Sequence, residues 1–248
     1  MAFDTISNPR QFVGAQVRQK WRVGKQLTYE PREFFAETLG TRGIRKEFLF
    51  VTGVLVVAFL GWLFAIQSIP DNFVVGTGPL GDAEARMGTE TSRQLWGFAV
   101  NRALSVYIVW ALYTGAIYLL SWLFNARGAP AVLLKHVAWG LFPMLVGYVV
   151  YGFGLVVTVT LIDVDTALPG IAAENTAFLL DQVLTHPIMI LVTVVFVGSI
   201  VWSAYLLVYA AQEARSLPRS AAWKVVAVPT AGYALYVLWD LVSRLGIV

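Results

Sequence analysis

Cysteine is absent from this chain of 248 residues. Disulfides, thiolate metal sites, cysteine nucleophiles and thioether-linked haem are therefore excluded. Histidine occurs only twice, as His136 and His186. Charge is also scarce: 13% of residues are Asp, Glu, Lys or Arg, against about 25% in a soluble domain. No phosphate-binding glycine loop lies between a strand and a helix. Gly152-Phe153-Gly154 is a fragment of such a pattern inside an apolar run. HExxH, GxSxG and paired intramembrane acids are all missing, so catalysis is not expected. The basic first 46 residues contain no apolar h-region and no small-residue cleavage site, so no signal peptide is expected and the first span is expected to direct insertion.

What the chain has in quantity is apolar sequence. Hydrophobic residues make up 58%, and mean hydropathy is +0.68. Nine Trp, ten Tyr and fifteen Phe suit aromatic belts at two membrane interfaces. About 20 apolar residues cross a bilayer as a helix. Five runs are long enough, at about 48–69, 103–124, 137–162, 187–211 and 221–243. The expected fold is an all-α integral membrane protein, a bundle of five transmembrane helices at 47–248. A basic, amphipathic cytoplasmic segment precedes it at 1–46.

The third run carries the most internal pattern. Gly140, Gly147 and Gly154 recur every seven residues and mark one helix face without side chains. Gly61 and Ala65 make a small-xxx-small pair in the first run. Small faces allow close helix approach where lipid removes the hydrophobic drive to associate. Pro143 and Pro229 fall inside spans and are expected to kink them. A loop is expected from Pro70 to Leu95, with turns at Gly76, Gly78, Pro79 and Gly81.

Half of the eighteen Lys and Arg lie in the first 46 residues. Between 10 and 26 a helix would set Val13, Val17 and Trp21 opposite Arg18, Arg22 and Lys25. A solvated helix and one resting on anionic lipid headgroups both fit this pattern. After Pro31 a short helix has Phe34, Phe35 and Leu39 on its apolar side. Arg42, Arg45 and Lys46 form a basic collar at the first span. Counting over five spans puts fourteen of the eighteen basic residues on the N-terminal side. The positive side stays cytoplasmic, which sets the N-terminus inside, the C-terminus outside and the two acidic loops outside.

Candidate chemical groups are few. His136 and His186 open spans at opposite faces, too far apart to share a haem. Asp163 and Asp165 have the spacing of a loop that could hold a hydrated cation; the preferred reading is an acidic outer loop, with no metal. Asp240 is read as the only acid near the hydrocarbon, and Arg244 four residues on is its expected ion-pair partner. No cofactor is expected. A nucleic-acid surface is excluded because the basic residues sit beside the membrane.

Several pieces in order carry a resemblance. Pro31-Arg32-Glu33-Phe34-Phe35 precedes the first span. Asn125-Ala126-Arg127-Gly128-Ala129-Pro130 leads into Ala138-Trp139-Gly140-Leu141-Phe142-Pro143. Val201 to Tyr209 ends the fourth span, and Arg215-Ser216-Leu217-Pro218-Arg219-Ser220-Ala221-Ala222 opens the fifth. Over residues 28–245 the chain resembles the Yip family of Rab-interacting integral membrane proteins, in its bacterial and archaeal form. The resemblance implies a non-enzymatic organiser of membranes with no catalytic residues to carry over. Eukaryotic relatives engage prenylated small GTPases. This chain has a shorter N-terminal region without their acidic segment, so GTPase binding is not carried across.

The first functional reading is a multi-pass scaffold or complex subunit in the cell (plasma) membrane. Its partners would be the lipid bilayer with anionic headgroups, and other membrane subunits or itself. The alternative is a small permease, channel or transporter subunit, with Thr114, Ser199 and Thr230 as the few pathway-facing polar groups. The topology predicts that an impermeant thiol reagent on intact cells labels Leu80→Cys and leaves Asn125→Cys unlabelled; the reverse pattern inverts it.

Overall fold

A computed structural model of the chain describes residues 25–38, 44–67, 81–161 and 181–246. Among these residues all regular structure is helical, and five helices are long and apolar enough to cross a membrane. A short α1 (Pro31–Glu33) runs on as a π-helical turn (Phe34–Thr38). The long helices are α2 (Arg45–Gln67), α3 (Gly81–Trp122), α5 (Phe142–Leu161), α6 (Pro187–Arg215) and α7 (Arg219–Arg244), with α4 (Pro130–Gly140) leading into α5.

Two expected boundaries move. The segment from Gly81 onward is helix, not the loop expected up to Leu95, and α3 runs unbroken for 42 residues. At about 1.5 Å per residue that is roughly 63 Å, twice a hydrocarbon core of about 30 Å. The apolar part, Ala99–Trp122, is the span. The third run is not one bent helix but two helices. The break centres on Leu141, whose φ of −80° and ψ of 0° interrupt the helix two residues before Pro143. Proline has no N–H to give and its ring crowds the preceding turn. Pro229, by contrast, is accommodated within a continuous α7.

The break is supported from outside. The Met144 N–H donates to Ser203 Oγ of α6 at 2.9 Å. A hydroxyl on a neighbouring helix thus serves the backbone beside the proline, as intramembrane breaks require. Below it the ladder resumes with Leu145 N–H to Leu141 O at 2.9 Å.

Helix α6 lies at the centre, packed on α1, α4, α5 and α7. Its contact with α4 and α5 follows the seven-residue glycine repeat. A Cβ on Gly140 would stand 2.7 Å from Leu207 Cδ2, one on Gly154 would stand 2.8 Å from Val192 Cγ2, and one on Gly147 would collide with Ser199 Oγ. The opposite face of α5 meets α2 backbone to backbone: a Cβ on Gly61 would be 3.0 Å from the Gly152 carbonyl carbon. Ala65 lies further along α2, where only its backbone is described. Helix α5 is accordingly the most enclosed span, with 44% of its apolar window buried, and α7 the least, at 17%. The main core joins Val106, Trp110, Tyr113 and Ile117 of α3 to Val137, Leu141 and Met144 and to Phe196, Ile200 and Leu207 of α6. Polar ties across helices include Tyr107 Oη bonded to Thr52 Oγ1 at 2.6 Å and Trp110 Nε1 donating to Leu134 O at 2.9 Å.

Two glycines of α2 provide a matched comparison. Gly53 has nothing within 4 Å of a Cβ, whereas Gly61 faces immovable backbone. Gly61→Val is expected to lower stability by about 1–3 kcal/mol through overpacking, and Gly53→Val to leave it nearly unchanged. Thermal unfolding of the two variants in the same detergent measures the difference.

Candidate functional site

Three polar constellations stand out in the bundle. The first is the buried guanidinium of Arg215, 2% exposed at the end of α6. Among the described residues no carboxylate pairs with it. Its Nε donates to Ser121 Oγ at 2.9 Å, Nη1 to Gly128 O, and Nη2 to Ala126 O at 3.3 Å. Its plane lies 4.4 Å from the centre of the Tyr118 ring. Ser121 Oγ is itself anchored by donating to Tyr118 O at 2.6 Å. The acceptors cluster where α3 ends, where a helix dipole favours a cation. Local backbone geometry makes this possible. Asn125 takes φ 53° and Gly128 φ 126°, while Ser216 caps α6 with φ 49°. A side chain on Gly128 would run into Ala214 O, and Arg127 N–H donates to Arg215 O at 3.2 Å. Sequence reading treated Arg215 only as a topogenic charge. The signal available was a turn with Asn125, Gly128 and Pro130, and neither it nor Ser216-Leu217-Pro218 holds an acid.

The second constellation lies under the juxtamembrane segment. Phe34 and Phe35 are 0% and 1% exposed, packed with Leu27 against Leu206 and Ala210 of α6. Phe35 stacks on His136 at 5.7 Å, and Phe34 meets Trp139 edge-on at 5.5 Å. His136 is thus buried. Its Nδ1 lies 2.8 Å from Val132 O, so that nitrogen carries the proton. Burial pushes its pKa below the ordinary imidazole value. Glu47 is buried as well, at 6% exposure, with Trp139 Nε1 3.4 Å from Oε1. Asp240 is therefore not the only acid drawn into the bundle, because Trp139 packs at the start of α2. The collar residues Arg45 and Lys46, and Lys25 before it, are exposed.

The third is a cavity of about 50 Å³ at the far end of α7. Trp62, Tyr148, Tyr151, Phe196, Tyr233 and Tyr236 line it, and Asp240 and Arg244 stand at its rim. Arg244 grips Asp240 with both oxygens engaged, each at 3.1 Å. Tyr148 Oη and Tyr233 Oη share a hydrogen bond of 2.7 Å between α5 and α7.

The remaining sequence candidates stay apart. His186 caps α6, its Nδ1 accepting from the Ile188 N–H at 3.4 Å. His136 is in α4, before α5 begins. Among the described residues no three His, Asp or Glu gather as metal ligands. Arg18, Arg22, Arg42, Asp163 and Asp165 lie outside the described residues.

Five apolar helices with a docked amphipathic segment define a multi-pass integral membrane protein. A family model, the Yip1 domain, matches residues 25–241, nearly the whole chain; the chain belongs to the Yip1 family, a non-enzymatic family of membrane proteins. Its start at residue 25 coincides with the segment that packs on α6. Comparison with curated proteins gave no match, and comparison with solved structures gave none.

The Arg215 arrangement makes a direct prediction. Arg215→Met leaves Gly128 O and Ala126 O without their donor and should cost about 3 kcal/mol, in the range for breaking a buried charged interaction. Arg215→Lys should recover only part, because an ammonium cannot fork to both carbonyls and stack on Tyr118. The exposed Arg219→Met serves as control, all three read by thermal unfolding in detergent.

Proposed function

We propose that this chain works as a non-enzymatic multi-pass scaffold, or as a subunit of a membrane protein complex. The carrying observation is how the polar side chains inside the bundle are used. Thr114 Oγ1 donates to Trp110 O, Thr193 Oγ1 to Met189 O and Ser199 Oγ to Phe196 O, each at 2.6–2.8 Å. Ser203 holds the α5 backbone, and Ser121 holds Arg215. Such groups fasten helices and leave little to line a path. Two of the three residues that a permease reading would use, Thr114 and Ser199, are tied to their own helices. The alternative of a small permease or channel subunit is correspondingly less supported.

The surface supports assembly. On α7, Val228, Leu235 and Trp239 are 61%, 66% and 64% exposed, an apolar face for lipid or a neighbouring subunit. Exposed Lys25, Arg45 and Lys46 sit beside the first span, placed to meet anionic headgroups. The same charge pattern supports residence in the cell membrane with the N-terminus inside. A photo-crosslinking residue at Leu235 should trap a protein neighbour, a second copy or another subunit, in native membranes. Only lipid adducts, together with purification as a bare monomer in mild detergent, would overturn the scaffold reading.

A further inference from the structure

The cavity at the end of α7 has a polarity gradient that no packing role requires. Its inner wall, at the Tyr148–Tyr233 hydroxyl pair, faces the middle of the bundle. Its rim carries Asp240 and Arg244, seven and eleven residues beyond Tyr233, or about 10 and 16 Å further along α7. Apolar groups toward the middle and ionic groups toward the end follow the gradient within one leaflet of a bilayer. Both rim side chains remain open, Arg244 at 28% and Asp240 at 37% exposure. Asp181 also lies within electrostatic reach of Arg244. The cavity lining itself carries one carboxylate and one guanidinium, Asp240 and Arg244, so its rim is dipolar. The rings beneath add electron-rich faces, which attract organic ammonium groups.

The geometry points to a site for a zwitterionic phospholipid, with the ammonium of its headgroup at Asp240 and the tyrosine rings, its phosphate at Arg244, and its chain lying along the open half of α7. Charge complementarity selects this occupant. An anionic headgroup could pair with Arg244 but would meet Asp240 as a like charge. A zwitterion places its charges opposite to those of the Asp240–Arg244 pair. Size agrees: at roughly 10–15 Å³ per water-sized group, the cavity takes an ethanolamine-sized group. The packing of α7 agrees too. Its buried residues are Ala221, Ala222, Val225, Val226 and Thr230. None lies beyond Thr230, so the half that borders the cavity has the least protein against it. The inference does not depend on whether the protein acts as a scaffold.

The test is native mass spectrometry of the full chain released from nanodiscs of equal phosphatidylethanolamine and phosphatidylglycerol. Phosphatidylethanolamine should be retained at least tenfold over phosphatidylglycerol. Asp240→Asn should abolish that preference, and Tyr236→Leu, at an exposed lining ring, should weaken it several-fold with unchanged thermal unfolding. Equal retention of the two lipids, or the same preference in both variants, overturns the site. A third arm adds water-soluble glycerophosphoethanolamine. Failure to compete supports a lipid held by its chain as well as its headgroup; competition at equal concentration overturns the lipid assignment in favour of a free amine.

Discussion

A guanidinium without a carboxylate governs one end of this bundle. For Arg215, a bare guanidinium charge among apolar helices is strongly unfavourable. It is tolerated because Ser121, Ala126 and Gly128 bring three acceptors to it and Tyr118 brings a ring. Those acceptors exist only if α3 stops near Trp122 and the chain turns through Asn125 and Gly128 with positive φ. The turn then delivers Pro130 as the start of α4, and Ser216 turns α6 back into α7. Four helices thus take their relative positions from one side chain and the two turns that it joins.

From that end the helices separate according to size of side chain. Helix α5 is pressed between α6 and α2 by glycines on two faces, Gly147 and Gly154 on one and Gly152 on the other, and Gly140 at the end of α4 continues the first face. Close backbone approach multiplies dispersion contacts, which must do the work when lipid tails are as apolar as leucine. Pro143 would be a liability in such a helix. Its break is harmless because Ser203 of α6 supplies an acceptor at that level. The proline, the glycine face and the serine therefore work as one joint between α4, α5 and α6.

Much of this was legible in the sequence. Five spans follow from hydropathy alone, because a bilayer imposes a length on every helix. The seven-residue glycine repeat was visible, and it lies against α6. What stayed hidden were partners far apart in the chain. Ser203 and Gly152 look ordinary until α6 and α2 are placed beside α5. Arg215 reads as one more topogenic charge, since its acceptors are backbone carbonyls, which every sequence has. Phe34 and Phe35 read as an amphipathic face, but nothing local tells whether a membrane or a protein covers it. The helix from Gly81 also escaped reading: glycine, proline and acids before it signal turns, and their density masks a helix that begins among them.

The two ends of α7 differ in how their charges are satisfied, and this difference locates adaptability. At the Arg219 end, Leu217, Ala221, Ala222, Val225 and Val226 are buried beside the Arg215 junction. At the other end a partly exposed ion pair replaces the buried cation, and no residue after Thr230 is buried. Exposed ion pairs contribute little to stability, commonly about 0–1 kcal/mol, and they reorient at low cost. Helix α7 is thus fixed at one end and held at the other by the Tyr148–Tyr233 hydrogen bond and contacts around a cavity. An amphiphile lodged there would supply the contacts that the protein omits and would set the angle at which α7 leaves the bundle. Because α7 also carries the most exposed apolar face, lipid composition at that cavity would bear directly on which neighbour the face can meet.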